Sequence, residues 1–175
     1  DRETQPILEK IQSVSDGKLE IIFDDALRVF SENKLSGLTA SICSNLPYNV
    51  GTELLIQWLH YVSNPNSPIK ISSMTLMFQR EVAERIVASV GDEQYGRLSV
   101  LVNLVSDAKI LFNVPNTAFV PKPKVQSAIV QIIPNQKKIS AIKELSKIEA
   151  ITAKLFGQRR KMIRGIIKDF DWAQF

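Results

Sequence analysis

The chain has 175 residues, 45% of them hydrophobic, 23% charged, and a formal net charge of +4. That length suits one main domain with a small appendage, and the apolar share excludes a disordered chain. No apolar run reaches the roughly 18 residues of a bilayer span, and no charged-then-apolar leader opens the sequence. The lone cysteine, Cys43, excludes an internal disulfide and a cysteine-only cluster, which fits a cytoplasmic protein, and with His60 as the single histidine the composition argues against a zinc site of ordinary ligand type.

Residues 2–14 have helical periodicity, with Ile7, Leu8, Ile11 and Val14 on one stripe and Asp16-Gly17 as a stop. Leu19-Glu20-Ile21-Ile22-Phe23 reads as a short strand with Asp24 and Asp25 at its carboxyl end. A second strand is expected over 39–44, a helix over 51–62 with Leu54, Leu55, Trp58 and Leu59 on one side, and a long apolar strand over 69–78. Helices are expected at 79–89 and 97–106 around the turn-rich 91–96, then strands at 108–113 and 125–133. The loop between those last strands carries Pro115, Pro121 and Pro123 and is too short for a crossover helix, so they should form an antiparallel pair at the sheet edge. Pro134-Asn135-Gln136 marks a boundary, beyond which Ile139, Ile142, Leu145, Ile148 and Ile151 read as one helical segment. Strands alternating with helices indicate an α/β sheet over 1–134 and a small helical domain over 135–175.

The strongest local signal is Asn45-Leu46-Pro47-Tyr48, directly after a strand. In open α/β sheets, ligands bind beyond the carboxyl ends of the strands. An exocyclic aromatic amine is a poor nucleophile because its lone pair is delocalised into the ring. The Asn45 amide oxygen and the Leu46 carbonyl can accept its two N–H bonds and favour a more tetrahedral nitrogen. Pro47 stiffens the turn, Tyr48 offers a flat face to a base, and such preorganised dipoles stabilise charge that develops during methyl transfer. The plainer alternative is a strand-ending turn with Asn and Pro chosen for geometry. The clearest cationic stretch is Gln158-Arg159-Arg160-Lys161-Met162-Ile163-Arg164, which can equally be a solvated helix face. Cys43 reads as a small buried strand residue, His60 as a helix-surface residue and Trp58 as core.

Five segments occur in order: Asn45-Leu46-Pro47-Tyr48-Asn49, Gln79-Arg80-Glu81-Val82, Tyr95-Gly96-Arg97-Leu98-Ser99-Val100, Phe119-x-Pro-x-Pro-x-Val-x-Ser127 and Phe156-x-Gln158-Arg159-Arg160-Lys161-x-Ile163-Arg164. Together they closely resemble the bacterial small-subunit rRNA adenine dimethyltransferases, the KsgA family. The resemblance implies a Rossmann-like class I methyltransferase sheet and S-adenosylmethionine-dependent N6-dimethylation of two adjacent adenines in small-subunit rRNA, in the pre-30S particle. It makes Asn45, Leu46, Pro47, Tyr48 and Phe119 the catalytic set, with Asn45 reaching both the cofactor region and the target amine and Phe119 packing on the flipped-out base. It assigns Asp25 and Ala26 to the cofactor adenine, with Asp24 as the alternative one residue away and turn or helix capping as the plainer role of both acids. Arg159, Arg160, Lys161 and Arg164 are implied to hold rRNA phosphates, with Lys122 and Lys124 beside the flipped base. No metal is implied.

The family's opening strand, its Gly-rich turn and its second strand with an acidic end have no counterpart here, and Asp1-Arg2 matches the residues just after that acid. The family's helical domain also runs beyond Phe175. The missing strands would lie between 19–23 and 39–44 in the sheet, so strand edges should be exposed unless the remaining strands pair differently or a second chain fills the gap. The chain alone is expected to bind S-adenosylmethionine weakly or not at all and to be inactive. The alternative reading is a non-catalytic RNA-binding or ribosome-assembly module descended from the enzyme.

Overall fold

The computed structural model describes residues 4–31, 35–157 and 162–167. The chain divides into two compact units, residues 1–34 and 35–175.

In the first unit, α1 spans Gln5–Ser13 with Pro6 in its first turn, where a missing N–H costs nothing. The helix gives way to Asp16 and Gly17, both at positive φ (52° and 73°), where glycine is the residue without a steric penalty. The strand expected over 19–23 does not form. A strand is a pairing rather than a propensity, and this segment has no ladder partner among the described residues. Its Ile21, Ile22 and Phe23 instead join Leu8 around a shallow hollow. A short helix not foreseen in the sequence, α2, covers Ala26–Ser31.

The second unit is built on a four-stranded sheet of order β1-β2-β4-β3, made of β1 (Thr39–Asn45), β2 (Lys70–Gln79), β3 (Ser106–Val114) and β4 (Ser127–Pro134). The helix α3 (Gly51–Ser63) crosses from β1 to its parallel neighbour β2. From β2 the chain runs through α4 (Arg80–Val87) and α5 (Arg97–Val105) to β3. The pair β3 and β4 is antiparallel, as expected, and β4 also pairs antiparallel with β2.

Apolar alternation on β2 and β4 and helical stripes on α3 to α5 meet in one core. Leu55, Leu59, Met74, Leu76, Ile86, Val102, Val105, Val130 and Ile132 are fully buried, and Trp58 is buried as expected. Burial of each such side chain contributes roughly 1.5–3 kcal/mol. The row Thr39, Ser41, Cys43 and Asn45 faces outward, so Cys43 is exposed rather than buried. The reason is positional: β1 has β2 as its single ladder partner among the described residues, and alternate residues of a strand point to opposite faces.

The helical tail is interrupted. A single turn, α6 (Gln136–Ile139), is capped by the Asn135 side chain, which accepts from the Lys137 and Lys138 N–H groups. Tight bonds from Ala141 N to Lys138 O and from Ile142 N to Ile139 O then end it, and α7 begins only at Leu145 and runs to Gly157. The threefold apolar spacing thus continues through a turn, and the expected single segment is two. A short α8 covers Ile163–Ile167.

Two polar contacts fasten this tail. Lys138 Nζ donates to Asp107 Oδ1 (2.7 Å) and to the Ser106 carbonyl (2.8 Å), and Asn135 Nδ2 donates to Asp107 Oδ2 (2.7 Å). These hydrogen bonds, from Lys138 first and Asn135 second, hold the Asp107 carboxyl below its ordinary range. The Glu149 carboxylate of α7 receives Arg97 of α5 on one oxygen and His60 of α3, at 2.7 Å, on the other. His60 is therefore a half-buried tie between helices and not a plain surface residue.

Candidate functional site

At the carboxyl ends of β1 and β2 lies an open cleft of about 420 Å³. One wall is Asn45, Leu46, Pro47 and Tyr48, the other is Phe119, Val120, Pro121 and Pro123, and Met77 of β2 also lines it. The structure thus brings together all five residues expected to carry the chemistry.

Asn45 is the last residue of β1, so the ladder to Met77 fixes its backbone. Leu46 is buried at 6% exposure and acts as an anchor. It packs where a side chain on Gly51 would stand: a Cβ there would meet Leu46 Cβ and Phe78 Cε1 at 3.3 Å each. The Pro47 carbonyl accepts from Val50 N (3.2 Å) and Gly51 N (3.0 Å), closing the turn that starts α3. The side-chain amide of Asn45 and the carbonyl of Leu46 are hydrogen-bonded to no described residue, leaving two acceptors at the cleft. Tyr48 is 43% exposed, while its hydroxyl shares a 2.8 Å hydrogen bond with the buried Ser127 hydroxyl.

The facing wall hangs from a 3-10 turn at Asn116–Ala118 and rejoins the sheet at Ser127. Phe119 is half-buried and Val120 wholly exposed, with Lys122 and Lys124 on the solvent side of the same loop. Arg164 is exposed on α8, and Arg159, Arg160 and Lys161 lie outside the described residues.

Asp25 and Ala26 belong to the first unit. The Asp25 carboxylate accepts from Leu27 N at 2.9 Å, the geometry of a helix cap, while Asp24 accepts from Asp25 N at 2.8 Å and approaches Arg28 at 3.8 Å. Both acids therefore fill the plainer role, and the Asp25 bond engages one carboxylate oxygen. Sequence reasoning assigned no role to Ser127, Met77 or Gly51. The signal for Ser127 was present, since it closes the Phe119-x-Pro-x-Pro-x-Val-x-Ser127 segment.

A parallel β1-α3-β2 unit, an antiparallel edge and a polar loop at the strand ends define a Rossmann-like fold of the class I methyltransferase kind. A family model for ribosomal RNA adenine dimethylase matches residues 2–171, and the chain belongs to that family. Among curated relatives, the ribosomal RNA small subunit methyltransferase A of Caulobacter vibrioides is 44% identical over 163 residues, covering 93% of this chain and 60% of the relative. That of Azorhizobium caulinodans is 47% identical over 161 residues, covering 92% and 54%. The chain thus spans little more than half the length of these relatives. A crystal structure of a dimethyladenosine transferase from Plasmodium falciparum superposes with a TM-score of 0.72 at 26% identity, covering 95% of this chain and 56% of that one. The 23S rRNA methyltransferase ErmE shares the fold, with a TM-score of 0.68 at 19% identity over 98% of this chain and 65% of that one.

Proposed function

We propose that this chain carries the target-adenine half of an S-adenosylmethionine-dependent enzyme that dimethylates N6 of adjacent adenines in small-subunit rRNA, acting on the pre-30S particle in the cytoplasm. The observation that carries this reading is the pair of unengaged acceptors, Asn45 and the Leu46 carbonyl, in a cleft also lined by two aromatic side chains, Tyr48 and Phe119.

An adenine inside a stacked helix hides its amine from in-line attack, so the base must leave the stack. Tyr48 and Phe119 offer it two π faces, each such contact being worth about 1–3 kcal/mol per base. Asn45 and Leu46 then accept the two N6–H bonds and draw the nitrogen lone pair out of the ring. Because Leu46 is buried and Pro47 closes the turn, the acceptors need no reorganisation as positive charge grows on nitrogen. The cleft is open, so solvent can take the amine proton.

In the second unit, the unengaged Asn45 amide can meet the methionine end of the cofactor. In the first unit, taken by itself, the Asp25 carboxylate keeps acceptor capacity of the kind an adenine amino group takes. When bound, the cofactor supplies an electrophilic methyl group. Exposed Lys122, Lys124 and Arg164, with Arg159, Arg160 and Lys161 in the same role, would hold phosphates, and 135–175 would form part of a helical RNA-binding region.

The test is methyl transfer to small-subunit rRNA by the full-length gene product. Asn45→Ala should abolish transfer while RNA affinity stays unchanged, because the lost bonds act on the amine and not on the backbone. An active Asn45→Ala enzyme would sink the assignment. An unmodified protein that binds this RNA and never methylates it would favour a non-catalytic RNA-binding module.

A further inference from the structure

We propose that Ser127 is a positioning residue for the base cleft, fixing where the Tyr48 ring stands and thereby the spacing between the two walls. The inference rests on the function proposed above and extends it to a residue outside the Asn45–Tyr48 loop.

Ser127 is the first residue of β4 and is fully buried. It is paired across one ladder with Gln79 and across the other with Val114, so its backbone is held from both sides. The adjoining Gln126 carbonyl accepts from Arg80 N at 2.9 Å, which pins the same point to the start of α4.

Tyr48, by contrast, is an exposed loop residue whose ring can turn about two torsions. A hydrogen bond at its hydroxyl restrains the first of these, because that torsion sweeps the far end of the ring through space while the second turns the ring about the axis on which the hydroxyl oxygen lies. That bond, 2.8 Å long, joins residues 79 apart in sequence. The chain that builds the opposite wall, from Phe119 to Pro123, runs directly into Ser127. Both walls are therefore referenced to one buried residue. Loss of the Ser127 hydroxyl would leave the Tyr48 ring present but free to swing, which affects the alignment of the base more than its capture.

The experiment uses the full-length gene product with small-subunit rRNA, and in parallel an RNA carrying 2-aminopurine at the target adenine, whose fluorescence is quenched by stacking. Ser127→Ala should lower kcat about tenfold, the loss of one neutral hydrogen bond at the upper end of its usual worth, with little change in KM. Tyr48→Phe, which keeps the ring and removes the tether, should do the same, and the double variant should be no worse than either single one. Additive losses, or a Ser127→Ala enzyme with unchanged kcat, would overturn the proposal while leaving the function intact. If the unmodified protein transfers no methyl group, the function fails and the fluorescence decides for Ser127. Weaker quenching in Ser127→Ala then sustains it, and equal quenching, or none in either protein, overturns it.

Discussion

At the scale of single residues, the cleft depends on Gly51 for a reason of space and not of conformation. A methyl group at this position would press on Leu46 and Phe78 at 3.3 Å, and both are buried. Overpacking of this kind costs about 1–3 kcal/mol, against the fraction of a kcal/mol that alanine gains over glycine in a helix. Gly51→Ala should therefore lower stability by about 1 kcal/mol, read as a shift in the urea midpoint at unchanged slope. An unshifted midpoint would mean that Leu46 is looser than its burial implies. Asn45, Tyr48 and Phe119 were legible in the sequence because short segments with distinct chemistry fix their surroundings. Cys43 was not, because whether a strand residue is covered depends on what lies across that sheet face, and no local pattern states it. Ser127 was half legible: its segment stood out, but a partner 79 residues away did not.

At the scale of elements, the joint between β3 and α6 is electrostatic and should titrate. Hydrogen bonds from Lys138 and Asn135 lower the folded-state pKa of Asp107. An unfolded aspartate titrates near 4, so the contribution is whole above that value and is lost as pH falls through the lower folded value. The Asp107 side chain is 63% exposed and that of Lys138 35%, which keeps the effect small. Stability curves of the wild-type chain and Lys138→Ala should differ at neutral pH and converge in acid. A constant gap down to the most acidic pH would assign the lysine's effect to packing instead. The elements show the same division between local and non-local information. Those with an apolar face and a partner in this chain, such as α3, β2 and the β3–β4 pair, formed close to where periodicity placed them. Residues 19–23 had the composition of a strand and no neighbour to pair with. The apolar spacing over 139–151 bridged a turn, because hydrophobic period alone does not register where backbone bonds tighten.

At the scale of the whole molecule, the net charge of +4 matters through its placement. Lys122 and Lys124 stand exposed on the loop that carries Phe119. If they neutralise single-stranded RNA phosphates, each should add about 0.7 to the slope of log affinity against log salt. Replacing both with alanine in the full-length gene product should flatten that slope by about 1.4, with affinity losses largest at low salt. An unchanged slope would leave them as a solvated edge. The fold class was legible from alternation and loop length, and the boundary between residues 34 and 35 was not, since no composition change marks it.

Glu149 has a mechanical consequence. One carboxylate on α7 takes a donor from α3 and another from α5, so the helix is moored at a point and resists rolling about its own axis. A helix fastened by apolar contacts alone can slide by a fraction of a turn at little expense; a carboxylate with two directional donors cannot. The chain that leaves α7 at Gly157 continues at once into Gln158-Arg159-Arg160-Lys161. The heading of α7 down to its end at Gly157, eight residues on, is therefore held by a single acidic side chain.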